Sequence, residues 1–171
     1  MQEYPNAITM HGNPLTLTGK EISVGDPASD FVALNTDLKP VRLSEYQGKV
    51  VVISAVPSLD TPVCDMQTRR FNSEATQLGD DVVILTLSMD LPFAQKRWCG
   101  AAGVDKVVTL SDHKNAEFGE SFGMLIKELR LLARAVFVID REGVVRYIQL
   151  VKEVSSEPEY EPVLAAIKEV L

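Results

Sequence analysis

Two cysteines, two histidines and one tryptophan in 171 residues leave little from which to build a metal centre or a disulfide framework. A secreted scaffold held by disulfides needs more cysteines, so these two are either reactive or simply buried. His11 and His113 stand far apart and read as turn residues, and no close-spaced ligand pair supports a metal site. Blocks of Lys or Arg are absent and the formal net charge is -7, which argues against nucleic acid as a partner. No apolar run approaches the length of a membrane span, and MQEYPNAITMHG has neither the basic flank nor the apolar core of a signal peptide. A cytoplasmic, reducing location is the expectation. Internal repeats, low-complexity tracts and Gly-rich dinucleotide loops are also missing.

What is present is ordinary globular composition, 46% hydrophobic and 24% charged, in a chain long enough to bury roughly 70 per cent of its unfolded surface. A single domain over residues 1–171 is expected. Its centre is KVVVISAVPSLDTPVCDMQTRRF, Lys49 to Phe71. Val50 to Val56 is apolar except at Ser54, as in a strand covered on both faces. A helix is predicted from Pro62 to about Leu78, with Thr61 as cap, Pro62 at the first helical position and Gly79 as stop.

Around this centre, Ile8 to Leu17 reads as a β-hairpin turning at His11-Gly12-Asn13-Pro14. Short extended pieces follow near Phe31 to Leu34 and Val41 to Leu43, the decorated edge of a sheet. Val82 to Leu87 and Val107 to Leu110 read as further strands. Between and after them lie short helices, Pro92 to Cys99 opened by Asp90 and closed by Gly100, and Ala116 to Phe122 interrupted by Gly119. Ala135 to Ile139 and Val144 to Leu150 form a hairpin across Asp140-Arg141-Glu142-Gly143. A last amphipathic helix runs to Leu171 with apolar Val163, Leu164, Ile167, Val170 and Leu171. The alternation predicts an α/β sandwich on a mixed sheet.

If Thr61 caps the helix, Cys64 lies in its first turn, where unpaired backbone N–H groups and the helix dipole favour a thiolate. It also follows the carboxyl end of a buried strand, the edge at which open α/β sheets place their sites. Position alone leaves two readings open, a reactive thiolate and a small buried hydrophobe.

Pro57, Thr61 and Cys64 in PSLDTPVC match Pro-x-x-x-Thr/Ser-x-x-Cys, and this stretch resembles the signature of the peroxiredoxins. The continuation CDMQTRRFN, the N-terminal hairpin and a second cysteine at position 99 narrow the resemblance to the thiol peroxidase group of atypical two-cysteine peroxiredoxins. It covers essentially the whole chain. It implies a thioredoxin-like fold, a mixed central sheet flanked by helices with an N-terminal β-hairpin. It also implies a peroxidatic role for Cys64, a resolving role for Cys99 and a conserved arginine at Arg134 in LLARAVFVID.

The implied chemistry needs an ionised sulfur, a peroxide aligned in line, and donors for the charge developing on both oxygens. Thr61 can offer a hydroxyl and Arg134 several fixed N–H donors with a permanent charge; Pro57 would stiffen the loop and wall the sulfur from water. Taken alone, Thr61 reads as a helix cap, Pro57 as a strand terminator, Arg134 as a solvated strand-end arginine and Cys99 as a core cysteine beside Trp98. Of the adjacent Arg69 and Arg70, one is a candidate for steadying the arginine or the loop.

The expected activity is reduction of hydrogen peroxide and organic hydroperoxides through a Cys64 sulfenic acid and an intramolecular disulfide with Cys99. Recycling by thioredoxin or a similar dithiol, no prosthetic group, and a homodimer complete what the resemblance implies. Because both cysteines fall in predicted helices, disulfide formation is expected to require local loosening. The alternatives are a thiol–disulfide exchanger or redox sensor without efficient peroxide turnover, against which the lack of a C-x-x-C pair counts, and a binding module on the same scaffold.

Overall fold

The computed structural model describes all residues 1–171. A seven-stranded mixed sheet is built from β3 (Val32–Leu34), β4 (Pro40–Arg42), β5 (Val50–Ala55), β6 (Val82–Ser88), β7 (Val108–Ser111), β10 (Ala135–Ile139) and β11 (Val145–Leu150). Its order is β11-β10-β5-β6-β7-β3-β4, with β5, β6 and β7 parallel and the flanking strands antiparallel. A separate four-stranded sheet joins the N-terminal hairpin, β1 (Glu3–Met10) and β2 (Asn13–Thr18), to the two-residue strands β8 (Leu125–Ile126) and β9 (Leu131–Leu132). The helices are α1 (Pro62–Leu78), α2 (Pro92–Ala102), α3 (Glu117–Ser121) and α4 (Tyr160–Val170). None is long and apolar enough to cross a membrane.

The apolar run of β5 is explained by its two covered faces. Val50 and Val52 pack with Ile84, Val136 and Val138 against Phe71 of α1 and Val163 and Ile167 of α4. Val51, Ile53 and Ala55 face the other way, toward Phe118 of α3, Phe122 just past its end, and Ile8, Leu15 and Leu17 of the hairpin. Phe137 joins Phe118 and Phe122 in edge-to-face contacts at 6.1 and 5.1 Å, tying β10 to α3. Each such ring, buried, contributes on the order of 2 to 3 kcal/mol.

The register places the site. Ala135 pairs with Ala55, so β10 begins where β5 ends. Arg134, one residue before β10, therefore stands at the carboxyl end of β5, beside the loop that leads into α1.

Helix α1 has the predicted bounds, but α2 does not. Gly100 is exposed with open space around it, so its flexibility costs only about 1 kcal/mol and the helix continues to Ala102. Gly103, at φ 67°, takes the left-handed position and ends it. Leu91, not Asp90, holds the cap position, because the Asp90 side chain turns back toward the loop after β5. Gly119 lies inside α3 without interrupting it; a Cβ there would meet Leu132 at 3.0 Å and Leu125 at 3.2 Å, so close packing accounts for the glycine. The strands β8 and β9 are too short to leave an alternating pattern.

Candidate active site

Helix α1 starts on Thr61, whose backbone takes the extended cap conformation, with Pro62 following. The first intrahelical bond runs from the Asp65 N–H to the Thr61 carbonyl at 2.9 Å, so the N–H groups of Val63 and Cys64 precede any helical acceptor. Their partial positive charge surrounds the cysteine. Cys64 is fully buried and packs with Val56 and Leu59, with Trp98 against the edge of the cluster.

Arg134 reaches the sulfur. Its Nη2 donates to Cys64 Sγ at 3.2 Å, Nη1 donates to Gln67 Oε1 at 2.9 Å, and Nε donates to the Val154 carbonyl at 2.9 Å. The residue is only 2% exposed, yet no ion pair in the molecule includes it. A buried guanidinium without a carboxylate is costly, by several kcal/mol, unless another negative group faces it. Among its hydrogen-bond partners only Cys64 can ionise. Three of the five guanidinium N–H groups are used, leaving one on each terminal nitrogen for a substrate oxygen.

Gln67 lies outside the sequence motif around Cys64. Three residues after Cys64, it shares the helix face and sits fully buried, donating through Nε2 to Ser54 Oγ at 2.7 Å. Ser54 is the one polar residue of the buried strand, and this bond is why it is tolerated there. The signal was the i, i+3 spacing from Cys64 together with that lone serine.

The Pro57–Thr61 loop is fastened from Asp90, two residues past the end of β6. Asp90 accepts from Ser58 Oγ at 2.7 Å, the Leu59 N–H at 2.8 Å and Ser88 Oγ at 2.7 Å. Pro57 is buried, two residues beyond the end of β5. Thr61 makes no side-chain cap bond; its hydroxyl donates to the Ser58 carbonyl at 2.8 Å and accepts no bond within the chain, on an exposed residue. An open depression of about 320 Å³, lined by Leu59, Asp60, Thr61, Pro62, Asp65 and Trp98, lies over this turn.

Cys99 is half-buried on α2, its sulfur 3.4 Å from Thr109 Oγ1 of β7, and both cysteines are free. The two helices are joined through Asp65, which accepts from Trp98 Nε1 and from Arg69 Nε, each at 2.8 Å. Arg69 also donates to the Ala102 carbonyl at 3.2 Å and lies over the Trp98 ring. Arg70 pairs with Glu74 and covers Tyr160, so neither arginine contacts Arg134. No group of three or more His, Cys, Asp or Glu side chains comes together in a way that could hold a metal ion.

Comparison with known proteins identifies the family. The Redoxin family matches residues 23–164. The chain is 58% identical to the thiol peroxidase of Oceanobacillus iheyensis over 158 residues, covering 92% of this chain and 96% of that one. It is 56% identical to the thiol peroxidase of Bacillus subtilis over 161 residues, covering 94% and 96%. Among solved structures, a peroxiredoxin-like protein from Aquifex aeolicus superposes with a TM-score of 0.91 at 41% identity, covering 97% of this chain and 98% of that one. Thiol peroxidase from Chromobacterium violaceum, 16% identical with a TM-score of 0.84 and 95% coverage of both chains, shares the fold. The chain belongs to the Redoxin family and, within it, to the thiol peroxidase group of atypical two-cysteine peroxiredoxins, with their thioredoxin-like fold.

Proposed function

We propose that this thiol-dependent peroxidase reduces hydrogen peroxide and organic hydroperoxides at Cys64 and resolves the product with Cys99. The observation that carries the reading is the carboxylate-free Arg134 directed at the sulfur of a first-turn cysteine. A thiolate there answers the buried guanidinium, and the helix N-terminus adds to the same field. The thiolate attacks one peroxide oxygen, forming S–O as O–O breaks, and the departing alkoxide or hydroxide takes a proton to leave as alcohol or water. In this reading the unused N–H groups of Arg134 meet charge on the oxygens, the Thr61 oxygen accepts from a peroxide O–H, and Pro57 keeps the loop stiff. Because Cys64 has no exposed surface, substrate entry requires this loop or the first turn to part.

The Cys99 sulfur then attacks the sulfenic sulfur, forming S–S as S–O breaks, and the departing hydroxide takes up the proton given up by the Cys99 thiol to leave as water. With Cys99 turned toward Thr109 and both residues in helices, this step calls for loosening of α2 and the first turn of α1. A dithiol such as thioredoxin returns both cysteines to thiols by exchange. Residues 1–171 act as one domain, in the cytoplasm, as a homodimer.

The test is peroxide-dependent NADPH consumption coupled through thioredoxin reductase and thioredoxin. The reading expects turnover with the native chain, none with C64S, and loss of thioredoxin-dependent recycling with C99S. Full activity of C64S refutes it. Dithiol exchange without peroxide consumption would favour the exchanger.

A further inference from the structure

Arg134 has one anchor that belongs to neither the sheet nor α1. Its Nε bonds to the carbonyl of Val154, which lies in the irregular segment between β11 and α4. No strand of the main sheet pairs with that segment. Its ends are tied by the Val151 N–H to the Arg134 carbonyl and by Gln149 to Glu159, and its middle, residues 152–154, is held by the N-terminal hairpin. The Thr9 N–H donates to the Lys152 carbonyl at 2.7 Å, and the Val154 N–H donates to the Thr9 carbonyl at 2.8 Å. Between them Glu153 draws the two pieces together. Its Oε1 accepts from Thr9 Oγ1 at 3.0 Å and from the Gly12 N–H at 2.9 Å; its Oε2 accepts from the Ser155 N–H at 2.9 Å and from Ser155 Oγ. The hairpin turn is shaped for this, with His11 at φ 50° and Gly12 at φ 81°, which brings the Gly12 N–H to the carboxylate.

We propose that Glu153 is a positioning residue for the peroxidatic centre, clamping the N-terminal hairpin onto residues 152–155 so that the Val154 carbonyl holds Arg134 aimed at Cys64. This rests on the assignment of Arg134 as the partner of the reactive sulfur. A carboxylate suits the task because it accepts from four donors at once and joins two elements that lie more than 140 residues apart in the chain. The hydrogen bonds, those from the Ser155 hydroxyl and N–H foremost, hold its carboxyl well below the usual carboxylate range, so the clamp is closed wherever the enzyme would work. Without the Glu153 carboxylate, residues 152–154 keep only their two main-chain bonds to Thr9 and the buried Val154 side chain, and the Val154 carbonyl is less firmly directed. The guanidinium, still charged and still buried, then loses the fixed direction on which its effect depends.

The experiment measures loss of the Cys64 thiol after stoichiometric hydrogen peroxide, by rapid alkylation quench and mass spectrometry, in the full chain. R134A is expected to slow this reaction about 100-fold, the size found for loss of a fixed donor to developing charge. E153A should slow it about tenfold and T9V about threefold, with E153Q, which keeps one accepting oxygen, between E153A and native. In the R134A background E153A should slow it no further, within a factor of two, because the clamp acts only through the arginine. The Arg134 Nε–H proton, shielded from water exchange in the native protein, should exchange faster in E153A and T9V.

R134A reacting at the native rate would remove the assignment on which the clamp depends. R134A slow but E153A and T9V native in rate and in Nε–H exchange would overturn the clamp alone. An E153A loss that multiplies with that of R134A would reduce Glu153 to general support of the fold and overturn the inference as well. Should E153A fail to fold, T9V with its intact backbone carries the same comparisons.

Discussion

Gln67 offers the sharpest perturbation of the site, because one substitution there changes the charge around Cys64 without removing any bond to Arg134. Replacing it with glutamate retains an acceptor for Nη1 and supplies the buried guanidinium with a carboxylate of its own. Cys64 is then no longer the single ionisable partner. Cβ atoms three residues apart on a helix lie about 5 to 6 Å apart. At an effective dielectric near 20, a new unit charge at about 6 Å opposes the thiolate by roughly 3 kcal/mol, of which the guanidinium between them screens a part. The expected result for Q67E is a 10- to 100-fold slower alkylation of Cys64 by iodoacetamide at pH 7. Peroxide oxidation should slow in step.

Stability provides the control. Q67L strands the Ser54 hydroxyl and one guanidinium donor, costing about 2 to 4 kcal/mol in urea unfolding, whereas Q67E should cost less because the charged donor keeps its partner. Q67E alkylated and oxidised at the native rate would refute the idea that charge balance at the sulfur is set through Arg134.

Two further predictions concern the surroundings. Asp112 accepts from the Phe118 and Gly119 N–H groups, but burial dominates and pushes its carboxyl from 3.8 up to about 6. The folded state thus binds the extra proton between pH 4 and 6, so this group's contribution to stability falls as pH rises through that window. It declines by about 3 kcal/mol in all and is flat above pH 6 to 7. The difference in urea stability between native protein and D112N should trace that decline; a difference independent of pH would refute it. Asp65 links α1 to α2 through Trp98 and Arg69, and D65A should loosen α2 by about 1 kcal/mol. Conversion of the Cys64 sulfenic acid to the disulfide should accelerate about fivefold, followed by quench and mass spectrometry; an unchanged rate would mean that this link does not limit the opening.

The parts of this molecule that could be read from sequence are those whose cause is local. The buried strand shows in its unbroken apolar run, and α1 shows in Thr61, Pro62 and Gly79, three residues with separate conformational reasons to stand where they do. From these, Cys64 in the first turn follows. Arg134 was legible only through family resemblance, because its importance comes from β10 starting where β5 ends, a fact of register rather than of neighbours in sequence. Gln67 with Ser54 showed only as a helix spacing and a lone serine in the buried strand, and Glu153 with Thr9 not at all, for the same reason. Each pair joins elements brought together only by the fold. Asp90 was misread as a cap because a local role was available, while its bonds go to Ser58 and Leu59 across the site.

The central claim is that Cys64 meets the peroxide and Cys99 resolves it. Fully reduced protein mixed with stoichiometric hydrogen peroxide, quenched by alkylation from milliseconds to seconds and mapped by mass spectrometry, addresses it directly. The account predicts that the Cys64 thiol disappears first and that an intramolecular Cys64–Cys99 disulfide follows in the same molecules. Oxidation of Cys99 ahead of Cys64, or a disulfide that links two chains through Cys64 alone, would contradict it.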